Sequence, residues 1–124
     1  MKYSIYQIKL SKAQYDLINA EGHMAVPAHV AKMDMSMDFR GDKIADQASE
    51  AWDNGYYTHV CNIVAENLNE VFQIGNIGPE ESIERLSSMH SISVADVIID
   101  ETGEMVVVSS YGFKAFNSKL EKAA

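Results

Sequence analysis

The chain has 124 residues, 47% hydrophobic and 23% charged, which is the size and make-up of one domain, 1–124, with room for a substantial core. Its formal charge of −8 is unevenly spread: residues 34–104 carry fifteen acids against three bases, while 1–33 and 105–124 are each +2. Such a field argues against direct contact with nucleic acid or an anionic membrane, and favours a basic protein partner or simple solubility.

No apolar run has the length of a membrane span, and the opening Met-Lys-Tyr-Ser-Ile-Tyr-Gln-Ile lacks the apolar core of a secretory signal. The single Cys61 cannot form an internal disulfide and sits in an apolar run, where a packing thiol is expected rather than a nucleophile. These features lead to the expectation of a cytoplasmic protein.

Residues 2–10 read as a first strand. Ser11-Lys12-Ala13-Gln14 has the form of a capping box, in which each of the two polar side chains satisfies an orphan amide, so a helix should follow, burying Ala13, Leu17, Ile18 and Ala20 and ending at Gly22. Pro27 suits the start of a short helix through Met33. Met33, Met35, Met37 and Phe39 alternate with polar residues, a period of two that predicts a half-buried edge strand, or an adaptable apolar binding face.

The clearest helix runs from Asp42, as N-cap, to about Asn54, with Ile44, Ala45, Ala48, Ala51 and Trp52 on one face. Asp42, Asp46, Glu50 and Asp53 fall on the opposite face, within an arc of roughly 80° at 3.6 residues per turn. They are the candidate partner-binding residues. One reading is a solvated face. The other is a recognition stripe whose charges, roughly 6 Å apart along the helix, mimic those of a nucleic acid strand before a basic groove.

Tyr56–Ala65 predicts a second strand, Val71–Ile74 a third, and Gly75-Asn76-Ile77-Gly78 a turn without the features of a phosphate loop. Pro79, with Glu80 and Glu81 behind it, opens a predicted helix that buries Ile83, Leu86 and Met89. Two β-branched runs flank Asp100-Glu101-Thr102-Gly103-Glu104, which predicts a hairpin over residues 96–109. Both runs are apolar on both faces, so both faces should be covered, by this chain or by a partner copy. Tyr111-Gly112-Phe113 is expected to close the core with both rings turned inward, and the tail from Lys114 to form a short helix docking Phe116 and Leu120.

His90-Ser91-Ile92-Ser93-Val94-Ala95-Asp96-Val97, followed by a hairpin and Tyr111-Gly112-Phe113, is similar to the end of the YodL-like domain, and Ile5-Tyr6-Gln7-Ile8-Lys9 resembles that family's first strand. The resemblance covers about the first ten and last thirty residues. It implies a small cytosolic protein of bacteria, plasmids or phages, and it carries no catalytic residue. Ser93, Asp96 and the Tyr111–Phe113 turn match its signature. They are read as structural: a turn residue, a side-chain acceptor at a strand entrance, and core closure.

His23, His29, His59, His90 and Cys61 lack the spacing of a metal site, although a distant assembly of His23, His59 and His90 is conceivable from sequence. No serine lies in a nucleophile elbow. Together these readings predict an α+β fold, a mostly antiparallel sheet of about five strands covered on one face by two or three helices. The expected function is that of a small acidic, non-enzymatic interaction protein of a phage or other mobile element. It would bind a basic protein surface, and in the specific form would act as an anti-CRISPR or anti-restriction inhibitor of a nucleic-acid-binding protein. No catalytic, metal or cofactor residue is assigned. The alternatives are a small metal-dependent or His/acid-based enzyme using His59 or His90, and a homo-oligomer paired through its sheet faces.

Overall fold

A computed structural model describes residues 1–118. The described chain is an α+β fold in which a six-stranded antiparallel sheet carries helices on both faces rather than on the one expected, because its strands present apolar side chains to both sides. The strands are β1 (Lys2–Ile8), β2 (Tyr57–Val64), β3 (Ile83–Arg85), β4 (Val97–Ile99), β5 (Met105–Ser109) and β6 (Gly112–Phe116), in the order β3-β2-β1-β4-β5-β6. The helices are α1 (Lys12–Glu21), α2 (Pro27–Ser36), α3 (Ile44–Asp53) and α4 (Leu68–Ile77).

Strand alternation sorts the core into two layers. Tyr3, Ile5, Ile63, Ile98, Val106 and Val108 pack towards α4, which contributes Val71 and Ile74. Ile8, Val97, Met105 and Val107 pack towards α2 and α3, which contribute Met35, Ile44, Ala48 and Ala51. The hairpin forms as its sequence predicts: Val97 pairs with Val107 and Ile99 with Met105. Asp100 Oδ1 accepts from the Thr102 and Glu104 amides, and Gly103 takes a φ of +90°. The doubly apolar runs are covered on both sides within one chain.

The capping box also forms, with Ser11 Oγ accepting from Gln14 N at 3.1 Å and Gln14 Oε1 from Ser11 N at 2.8 Å. Yet α1 has no buried residue, and Leu17 is exposed. Local capping sets where a helix starts; how deeply it packs is a tertiary matter.

Several expectations fail. The Met33–Phe39 alternation is not a strand: α2 runs through Ser36, burying Met35 and exposing Met33 and Met37, which lie one turn apart on the same outward side. Residues 71–74 belong to α4, capped by Asn67, whose Oδ1 accepts from Glu70 N at 2.8 Å. Gly75 lies inside that helix because a Cβ there would stand 2.2 Å from Ile92 Cδ1; its absence lets α4 sit close against Ile92. The helix expected after Pro79 is one 3₁₀ turn, Glu80–Ser82, followed by the edge strand β3. Tyr111 points to solvent, while Phe113 packs in part on the core, so one ring turns inward rather than two. Phe116 ends β6 and is buried; Leu120 lies outside the described residues.

Candidate functional site

Helix α3 presents the acidic candidates. Asp42 precedes the helix and is not its cap. That role falls to Asp38, whose Oδ2 accepts from Lys43 N and Ile44 N at 2.9 Å each. Two amides satisfied by one carboxylate also place negative charge at the positive end of the helix dipole. Asp42, Asp46 and Glu50 are exposed, and none forms a salt bridge among the described residues. Asp53 differs: half-buried, its Oδ1 accepts from Ser118 Oγ at 2.5 Å, tying the end of α3 to the segment after β6. The predicted stripe is therefore an open face of three acids and one engaged carboxylate.

Sequence reasoning missed what lies beside this face. A groove of about 210 Å³ runs between α2 and α3, with Asp34 from one helix and Glu50 from the other in its lining, over Val30, Ala31 and Ala51. Its lining includes no Lys or Arg. Gln47, also in the lining, has a buried Oε1 with no partner among the described residues. Asp34 was not legible as a neighbour of Glu50 because the alternation around it suggested a strand.

The histidines do not gather at one centre. His23 and His29 meet, with Nδ1 and Nε2 3.1 Å apart, between the 3₁₀ turn His23–Ala25 and the first turn of α2. His59 stacks on Tyr6 with ring centroids 4.6 Å apart, and its Nε2 contacts Asn62 Oδ1 at 2.8 Å. Among the described residues no three His, Cys, Asp or Glu side chains converge as a metal site, so the His23–His59–His90 assembly does not form. Cys61 is fully buried, and burial pushes its thiol up to about 11, against a smaller opposing effect of Arg85. It is a packing residue.

His90 joins a second constellation. The Gln7 amide nitrogen lies 2.9 Å from His90 O, 3.0 Å from Asp96 Oδ2 and 3.1 Å from His90 Nδ1. His90 Nδ1 is also 2.7 Å from Ser91 O, which only accepts, so Nδ1 carries the proton. The two Gln7 protons then go to His90 O and Asp96, and all three groups are satisfied. Asp96 Oδ2 takes a further bond from Ser93 N at 3.0 Å, the strand-entrance role expected of it. Burial raises its carboxyl to about 6, opposed by the bonds from Ser93 and Gln7 and by the charge of Lys32. Asp96 meets the His90 imidazole only through a carboxamide, which does not relay a proton, so the two are not a general acid–base pair.

Among the described residues no helix is long and apolar enough to cross a membrane. Comparison with family models, curated proteins and solved structures finds no match to this chain.

Proposed function

We propose that this chain is a small acidic interaction protein that binds a basic protein surface through the outward face of α3. The observation that carries the reading is that Asp42, Asp46 and Glu50 are all exposed and without a salt bridge among the described residues, with Glu50 and Asp34 lining one groove. Unpaired acids clustered in this way repel one another and raise the local potential, which a basic partner relieves and which speeds its encounter. In its specific form, the reading has α3 occupying the nucleic-acid groove of a defence protein carried by a bacterial host. The resemblance of the two chain ends to the YodL-like domain supports an origin in mobile elements, and the charge map supports the groove.

The test is capture of partners from host lysate at low and high salt, with the native chain beside an Asp46→Lys/Glu50→Lys variant. The captured protein is identified, and its DNA or RNA binding is then measured with and without this chain. A nucleic-acid-binding partner held at low salt, released at high salt, missed by the variant and displaced from nucleic acid by the native chain bears the reading out. Equal capture by the variant removes α3 from the interface.

A further inference from the structure

On the opposite charge, where β1 runs out towards α1, a cavity of about 300 Å³ is lined by Lys9, Lys32, Ser88 and His90. No Asp or Glu lines it. Lys2, Lys12 and Arg85 each find a carboxylate, but Lys9 and Lys32 form no salt bridge among the described residues. Both are half-buried, and both are held by neutral groups instead. Lys9 Nζ donates to Ser87 Oγ at 3.2 Å and to Ser88 Oγ at 3.1 Å. Lys32 Nζ donates to His90 Nε2 at 3.4 Å, the ring nitrogen left as an acceptor when Nδ1 donates to Ser91 O. Each ammonium has three protons. Lys9 therefore keeps one unused and Lys32 two.

We propose that this cavity binds a small organic phosphate, with the phosphate between Lys9 and Lys32 and the organic body against Leu10 and Tyr15. Two ammonium charges match the charge of a phosphate monoester, about −1.5 to −2 at pH 7, better than the single charge of a carboxylate. Three spare ammonium protons and the Ser88 hydroxyl suit its three terminal oxygens, with lysine acting as a point-charge donor. The Tyr15 ring and Leu10, which also line the cavity, offer an apolar body a surface that free phosphate does not use. The fold builds the site from four elements: the end of β1, helix α1, helix α2 and the segment after β3. The His90 backbone is held by Gln7, which bonds both its carbonyl and its N–H, and its ring is held by Ser91 O.

The experiment is an NMR titration of the full chain with phenyl phosphate, inorganic phosphate and benzoate, repeated on Lys9→Met, Lys32→Met and the control Lys12→Met. Lys12 is exposed and paired with Asp16 at 3.3 Å. Phenyl phosphate is expected to shift the amides of residues 9, 15, 32 and 88–90 saturably, and to bind about tenfold or more tightly than either other probe. Lys9→Met and Lys32→Met should each weaken it about tenfold, and Lys12→Met should leave it unchanged. Protection gives a second readout on the native chain: phenyl phosphate should slow acetylation of Lys9 and Lys32 but not of Lys12. Absence of saturable shifts, equal binding by the Lys32→Met variant, or no protection overturns the site. Tighter binding of benzoate overturns the phosphate assignment.

Discussion

The Gln7 amide donates to the Asp96 carboxylate at 3.0 Å across 89 positions of sequence, both side chains almost wholly buried. This bond ties the first strand to the entrance of the central hairpin. Burial of Asp96, which this bond only partly offsets, links its proton to folding. Its carboxyl is raised from 3.8 to about 6 by burial, so between those values the folded chain holds a proton that the unfolded chain has released. Stability should therefore be greatest below about pH 4 for this group and be lost as pH rises through about 6, by about 3 kcal/mol at most. Asp96→Asn should flatten that slope. Chemical denaturation of both proteins across the window measures it.

Asp38→Ala should remove the acceptor of two amides at the start of α3 and cost about 1–2 kcal/mol. It should also loosen the presentation of Asp42 and Asp46. Denaturation gives the first effect and amide exchange at Lys43 and Ile44 the second.

At Gly75, an added methyl meets Ile92 Cδ1 at 2.2 Å and Cγ1 at 2.6 Å, and Ile92 is only 2% exposed, so it has little room to move aside. Gly75→Ala gains about 1 kcal/mol of helix propensity but is expected to lose about 1–3 kcal/mol to overpacking. A net loss in the single variant, partly recovered in Gly75→Ala/Ile92→Val, would locate the cost at this contact. Equal losses would place it elsewhere.

Exposed acids on α3 carry little of the fold. Asp46 and Glu50 stand four apart with like charge, so Glu50→Gln should be neutral or stabilising by about 0.2–0.5 kcal/mol. A thermal melt of this variant beside the native chain checks it, and a loss of partner binding by the same variant is then a surface effect.

Cys61, with its thiol raised to about 11, should resist alkylation at pH 8 in the native chain and react at the ordinary rate in denaturant. Mass spectrometry of a timed iodoacetamide reaction reads both rates.

The legible parts of the fold were those written locally. Ser11 and Gln14 announced the start of α1, Asp100 to Glu104 the hairpin turn, and the doubly apolar runs of β4 and β5 two well-covered strands, but the helices were expected on one face of the sheet and lie on both. Local rules failed where one pattern served two structures. Met33 to Phe39 has a period of two by composition, but Met35 packs with Ile44 and Ala48 in a core that only the folded chain creates, so the chain stays helical through Ser36. Gly75 argued for a turn because nothing near it in sequence foretells Ile92.

The site divides in the same way. The acids of α3 and their common face follow from a 3.6-residue period, which sequence alone determines. What it could not determine is which of them remain open. Asp53 is engaged by Ser118, Asp34 joins Glu50 across a groove, and Lys9, Lys32 and His90 meet at one cavity from positions far apart in the chain. Charge and periodicity act over a few residues and are written in order along the chain. Side chains from distant stretches meet only when the layers close, because burying the two apolar faces of the sheet fixes where every loop and helix end must fall.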